Sequence, residues 1–240
     1  MRCSFSFSGA LYAWPFHCGV AAYVQERRLR GPESRLYAAS SGAVAAALLA
    51  CGVDVLGAGT EAAFAANDEH TGRLGPYLRP SAVLRSLETF ARVLPPDAHE
   101  RATGVLHLAV TRLPRFELRV VSHFPTRAAL LHRLVATMAI PGHGVPFAHH
   151  TRALGLGWCI DGGLRGNRLA DDRPGWHTVR VATRGGAPGR LAPGRRIPMR
   201  MRFLVESRPE RLGWLRHGYE RAAEYLGGST GGSDPSRGDA

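Results

Sequence analysis

The chain has 240 residues, 45% of them hydrophobic, and a formal net charge of +12 in which every basic residue is an arginine. This length and apolar content suit one compact domain with a large core and call for no second one. The four cysteines stand apart with no C-x-x-C spacing, so zinc-finger chemistry is excluded and Cys3, Cys18, Cys51 and Cys159 read as reduced core thiols.

In chain order, residues 3–8 alternate serine and phenylalanine like a strand and open a glycine-containing turn before a helical stretch over 16–28. A short strand over 35–39 meets Ala38-Ala39-Ser40-Ser41-Gly42 and then an alanine-rich run. The stretch 38–59 is as long as a membrane span, but its residues are small and include Asp54, so it reads as a buried helix and turn. Two or three helices fill 55–100. Strands follow over 105–111 and 116–121 around Leu113-Pro114, then an amphipathic helix over 127–138 with Leu130, Leu131, Leu134, Val135 and Met138 on one face. Trp158-Cys159-Ile160 reads as the end of a buried strand that delivers Asp161-Gly162-Gly163. A further strand over 178–183, a Gly/Pro/Arg-rich loop over 185–198, a helix over 209–226 and a disordered tail over 227–240 complete the chain. This alternation predicts a three-layer α/β/α sandwich around a mostly parallel sheet, with residues 1–226 as one domain and the site at the carboxyl ends of the strands.

Ser40 stands where strand turns into helix, with Ala38 and Gly42 at the two positions that a sharp turn keeps small; this is the pattern of a nucleophile elbow. A helix N-cap is the competing reading, because a serine before an alanine-rich run also serves that purpose. Backbone N–H groups at the turn Gly9-Ala10-Leu11 are candidates for holding an oxyanion. The chain thus supplies, in order, an oxyanion turn, a serine and an aspartate.

In combination these segments resemble the patatin-like phospholipase family, closest to its adipose-type triglyceride-lipase and algal and plant branch. The segments are Ser6-Phe7-Ser8-Gly9 with His17-Cys18-Gly19, the serine elbow, and Asp161-Gly162-Gly163 with Asn167. Arg73-Leu74-Gly75-Pro76, Leu94-Pro95-Pro96-Asp97-Ala98-His99 and Ala139-Ile140-Pro141 add to the likeness. The resemblance implies a Ser40–Asp161 dyad without histidine, an oxyanion hole at Gly9, Ala10 and Leu11, supporting roles for Ala38, Gly42, Gly162, Gly163 and Asn167, and hydrolysis of glycerolipid or phospholipid acyl esters through an acyl-enzyme. No metal and no organic cofactor is implied. Leu11 and Trp14 occupy positions that the family keeps small, and the segment has no basic residue. A catalytically silent lipid- or protein-binding relative is therefore an alternative. So is an ordinary Ser-Asp-His hydrolase completed by His177 or His217.

Residues 180–221 hold eleven arginines against three glutamates. This is the expected place for peripheral contact with an anionic membrane or lipid-droplet surface, or else a solvated face of an arginine-rich chain; no nucleic-acid-binding signature accompanies it. His143, His149 and His150 lack ligand spacing and read as a solvated loop. With no signal-peptide pattern at the N-terminus, the expected location is cytoplasmic.

Overall fold

The structure is a computed structural model and describes residues 2–73, 79, 81–143, 157–183 and 189–227. At its centre lies β1 (Cys3–Phe7), whose phenylalanines and serines are both buried because helices cover both faces of the sheet. It pairs in parallel with β2 (Leu36–Ala38), opposing Phe5 to Leu36. The next strand, β3 (Leu106–Arg112), continues the parallel sheet beyond β2 and turns back antiparallel into the edge strand β4 (Glu117–Val121). A two-residue β5 (Cys159–Ile160) runs antiparallel beside Thr111 and Arg112. On the far side of β1 lie β6 (His177–Val181) and then β7 (Arg190–Leu191), both parallel. The order is β4-β3-β2-β1-β6-β7, with β5 paired to β3 alone.

Eight α-helices are described: α1 (Pro15–Glu26), α2 (Gly42–Cys51), α3 (Thr60–His70), α4 (Ala82–Phe90), α5 (Ala98–Ala102), α6 (Arg127–Thr137), α7 (Arg200–Phe203) and α8 (Arg208–Gly227). Every residue of α2 is buried, so it needs no polar stripe. It ends at Gly52 in the left-handed region, and Val55–Gly59 forms a π-helical turn, so the alanine-rich stretch is a buried helix and turn. No described helix is long and apolar enough to cross a membrane. The axes of α1 and α8 approach closely where both carry glycine: a Cβ on Gly19 would lie 1.9 Å from the Leu215 carbonyl oxygen, and one on Gly218 2.1 Å from that of Phe16.

Two sequence expectations change. The 185–198 segment contains β7 where it is described, a two-residue edge pairing too short to generate a periodic pattern. The strand before Asp161 is shorter than expected and Trp158 is 50% exposed. This strand pairs with Thr111 and Arg112, and at Asp161 the chain leaves β3 and the Asp161 N–H donates to the Ala139 carbonyl. The tail from 228 onward and the motif residues Leu74, Gly75 and Pro76 lie outside the described residues.

The amino ends of the strands are locked by a buried carboxylate. Asp171 accepts the Ser4 hydroxyl at 2.6 Å and the Arg173 guanidinium at 2.6 and 2.9 Å. Arg173 stacks over Trp176 at 3.8 Å. Arg173 foremost holds the Asp171 carboxyl well below the usual carboxylate range. Ser40 and the Gly9 turn follow the carboxyl ends of β2 and β1.

Candidate active site

Ser40 joins β2 to α2 at φ +55, a conformation that crowds Cβ against the backbone and costs on the order of 1–3 kcal/mol for a residue other than glycine. Its surroundings hold it there. The Ser40 N–H donates to Thr137 Oγ1 at 3.0 Å, and that hydroxyl donates to the Ala109 carbonyl at 2.6 Å, so the end of α6 and the middle of β3 both grip the elbow. Gly42 lets α2 start directly on β1: a Cβ there would sit 2.5 Å from the Ser8 oxygen and 2.6 Å from that of Phe7. Ala38 is buried at the end of β2.

Asp161 is held from three directions. Its N–H donates to the Ala139 carbonyl at 2.8 Å, its own carbonyl accepts the Thr111 hydroxyl at 2.9 Å, and Oδ1 accepts the Gly163 N–H at 2.7 Å. The residue is partly exposed, but Oδ2 is buried and has no hydrogen-bond partner. Burial pushes the carboxyl up to about 6, against the lowering effects of the Ser40 hydroxyl and the Gly163 and Leu164 N–H groups. Ser40 therefore bears on this carboxylate, although no aligned hydrogen bond closes between them. A Cβ on Gly162 would lie 2.0 Å from the Ala109 oxygen, so only glycine lets this turn lean on β3.

The glycine loops meet over Ser40. A Cβ built on Gly9 would fall 3.2 Å from Ser40 Cβ, and one on Gly163 3.5 Å from the same atom. Asn167 stitches the loops together by accepting the Gly9 N–H at 2.7 Å and donating to the Gly163 carbonyl at 2.5 Å. Of the three expected oxyanion donors, Gly9 is thus engaged by Asn167, and Ala10 donates to Ser41 Oγ at 3.2 Å. Leu11 stands at φ +51, and among the described residues its N–H has no intramolecular acceptor. The same holds for the N–H of Ser41 at the start of α2. Thr137 was not singled out from sequence, and Ser41 only as a possible helix cap, a role its side chain does not fill; the residue directly after an elbow serine is the local signal that points to the Ser41 N–H.

Ser40 lies between two cavities. An apolar slot of about 80 Å³ runs past Leu11, Trp14, Val44, Leu87, Phe90 and Met138. A wider basin of about 780 Å³ opens over Gly9, Asp161 and Asn167. Ile140 touches both, so the Ala139-Ile140-Pro141 segment belongs to the site wall.

The other candidates fall elsewhere. His177 is exposed at the amino end of β6, and His217 Nε2 contacts the Pro193 carbonyl at 2.6 Å, so neither reaches Ser40. His143 is not a solvated loop residue: it lines the slot against Tyr12, and burial lowers its pKa. His149 and His150 lie outside the described residues. His17 is fully buried against Phe7 and Phe16, and its pKa falls to about 3. The four cysteines are free; burial pushes Cys18 and Cys51 to about 12. No cluster of three metal-ligating side chains occurs among the described residues. The arginines of the 180–221 region are dispersed: Arg195 stacks on Trp214, Arg200 pairs with Glu206 and Glu210, and Arg190 and Arg202 line the basin.

The described residues form an α/β architecture, a mostly parallel sheet flanked by helices, with a strained serine and an aspartate whose Oδ2 is buried. The chain is similar to human patatin-like phospholipase domain-containing protein 2, 32% identical over 139 residues that make up 57% of this chain and 28% of that protein. It is also 31% identical over 147 residues to human omega-hydroxyceramide transacylase, covering 58% of this chain and 26% of that one. Human patatin-like phospholipase domain-containing protein 5 is 32% identical over 151 residues, or 58% and 33%. No family profile matches the chain. The likeness to patatin-like phospholipase domain proteins therefore stands on these relatives, and it spans less than a third of the length of those it first matches.

Proposed function

We propose that the chain is a serine acyl hydrolase or acyltransferase that cleaves fatty-acyl esters of glycerolipids through a Ser40–Asp161 dyad. Ser40 Oγ attacks the acyl carbonyl as its proton passes to Asp161 Oδ2. The carbonyl oxygen becomes an oxyanion facing the N–H groups of Leu11 and Ser41, joined by those of Gly9 and Ala10 once they leave Asn167 and Ser41 Oγ. As the ester C–O bond breaks, Asp161 returns the proton to the departing alkoxide. Water, or an acceptor alcohol, then gives up a proton to Asp161 as it attacks the acyl carbon, and Asp161 passes that proton to Ser40 Oγ as the acyl–serine bond breaks. The observation that carries the reading is the unpartnered, buried Oδ2 of a carboxyl raised to about 6, beside a serine held at φ +55. A base titrating near neutrality is suited to this transfer. Relatives named both phospholipase and transacylase support either fate of the acyl group.

Residues 1–226 would act as one catalytic domain, cytoplasmic and peripheral to a membrane or lipid droplet, with the arginine-rich 180–221 region supplying the surface contact. Binding to vesicles should then rise with anionic lipid and fall with added salt.

The silent-relative reading has one observation in its favour, the engagement of the Gly9 and Ala10 N–H groups within the protein. Turnover of 4-nitrophenyl butyrate decides between the two. Hydrolysis by the wild type that disappears in Ser40→Ala supports the dyad, and equal inertness of both proteins supports the silent reading.

A further inference from the structure

The basin beside Ser40 has a chemical character that ester cleavage alone does not require. Four of its lining residues are arginines drawn from separate parts of the fold: Arg165 and Arg168 follow the Asp161 turn, Arg190 lies in β7 and Arg202 in α7. Elsewhere the guanidiniums are commonly matched, as in Arg173 with Asp171, Arg211 with Asp68, Arg101 with Asp97 and Arg200 with Glu206. Among the described residues Arg165, Arg168 and Arg190 form no ion pair, and the sole carboxylate lining the basin is Asp161. Arg202 is steadied by donating to the Thr183 carbonyl at 2.9 Å.

Like charges gathered round one concavity repel each other, and an anion that enters it relieves that repulsion. A guanidinium presents paired N–H donors that match two oxygens of a phosphate. The slot on the other side of Ser40 is apolar and suits the acyl chain, which assigns the basin to the group that leaves. A neutral glyceride leaving group would gain nothing from these guanidiniums.

We propose that Arg165, Arg168, Arg190 and Arg202 form a phosphate subsite, so that the preferred acyl donor carries a phosphate on its leaving group. This rests on the hydrolase reading above. The phosphate is a handle only: the acyl C–O or C–S bond breaks, the departing atom takes its proton from Asp161, and no P–O bond changes. The shared chemistry has two sources, a phospholipid headgroup and a soluble phosphate-bearing thioester.

The experiment compares kcat/KM for dibutyryl phosphatidate, butyryl-coenzyme A and neutral dibutyrylglycerol. The proposal expects at least one phosphate-bearing donor to exceed the neutral ester about tenfold or more, with the preferred donor identifying the source. In Arg168→Gln and Arg190→Gln that preference should drop by roughly tenfold, the size of one charge-assisted contact, whereas Arg216→Gln, which removes an equal charge outside the basin, should keep it. Equal kcat/KM for phosphate-bearing and neutral donors, in a protein that still hydrolyses 4-nitrophenyl butyrate through Ser40, would overturn the subsite and leave the dyad intact. If no ester is turned over, the hydrolase reading fails instead, and calorimetry of dibutyryl phosphatidate with Ser40→Ala decides the subsite: binding weakened about tenfold by added Arg168→Gln supports it, and absence of binding overturns it.

Discussion

Asp161→Asn removes a carboxylate whose Oδ2 is buried without a partner while keeping the shape and the Oδ1 acceptor for the Gly163 N–H. In the folded chain this carboxyl titrates at about 6, against 3.8 without the fold. The folded state holds the proton more tightly, so the carboxyl's contribution to stability is full below about pH 4 and is lost as pH rises through about 6. The difference corresponds to ~3 kcal/mol at pH 8. The asparagine variant escapes that loss, although its new amide N–H must find an acceptor near Ser40, which lowers the expected gain to ~2 kcal/mol. For a domain of this size, that raises the melting temperature by roughly 5 °C. Thermal unfolding followed by circular dichroism at pH 8 and pH 4 tests this directly. The variant should melt higher than wild type at pH 8, and the gain should shrink toward zero at pH 4. An equal or lower melting temperature at pH 8 would refute the reasoning. The same titration governs catalysis: wild-type log kcat/KM should rise with unit slope to about pH 6 and then level, while the stabilised variant loses turnover by orders of magnitude.

Thr137→Val keeps the volume but strands the Ser40 N–H, so it should destabilise by ~1–3 kcal/mol in denaturant titration and reduce kcat more than it changes KM. Gly42→Ala forces a Cβ against the Ser8 and Phe7 oxygens and should cost ~2–4 kcal/mol with loss of esterase activity; a stable, active variant would disprove this packing. Asp171→Asn weakens the lock at the opposite end of the strands, with an expected loss of ~2–3 kcal/mol at pH 7 that narrows as pH falls below 3.8, because the folded-state pKa is depressed there. His177→Ala and His217→Ala should leave most esterase turnover intact, and a folded histidine variant as inactive as Ser40→Ala would favour a triad.

The elements most legible in sequence are those with strong local constraints. The alternation in β1, the amphipathic face of α6 and the small residues around Ser40 each reflect a requirement met within a few positions. Burial of Leu130, Leu134, Val135 and Met138 follows from the same periodicity. What escaped depends on contacts across the fold. Thr137 looks like any polar residue ending a helix, and its role arises only because β3 and the elbow converge on its hydroxyl. Likewise, counting arginines along 180–221 missed Arg165 and Arg168, since the basin draws its charges from three segments rather than one run. Trp158 read as part of a buried strand with Cys159 and Ile160, yet it is half exposed while Cys159 is buried. The engagement of the Gly9 N–H by Asn167, 158 residues away, has no local signature at all.

The central claim is that Ser40 is a nucleophile activated by Asp161, and covalent labelling tests it most directly. Wild-type protein is treated with a fluorophosphonate and its peptides are mapped by mass spectrometry. The account predicts an adduct on Ser40, absent in Ser40→Ala and formed far more slowly in Asp161→Asn. An adduct on another serine such as Ser8 or Ser41, or none under conditions that label a control serine hydrolase, would contradict it.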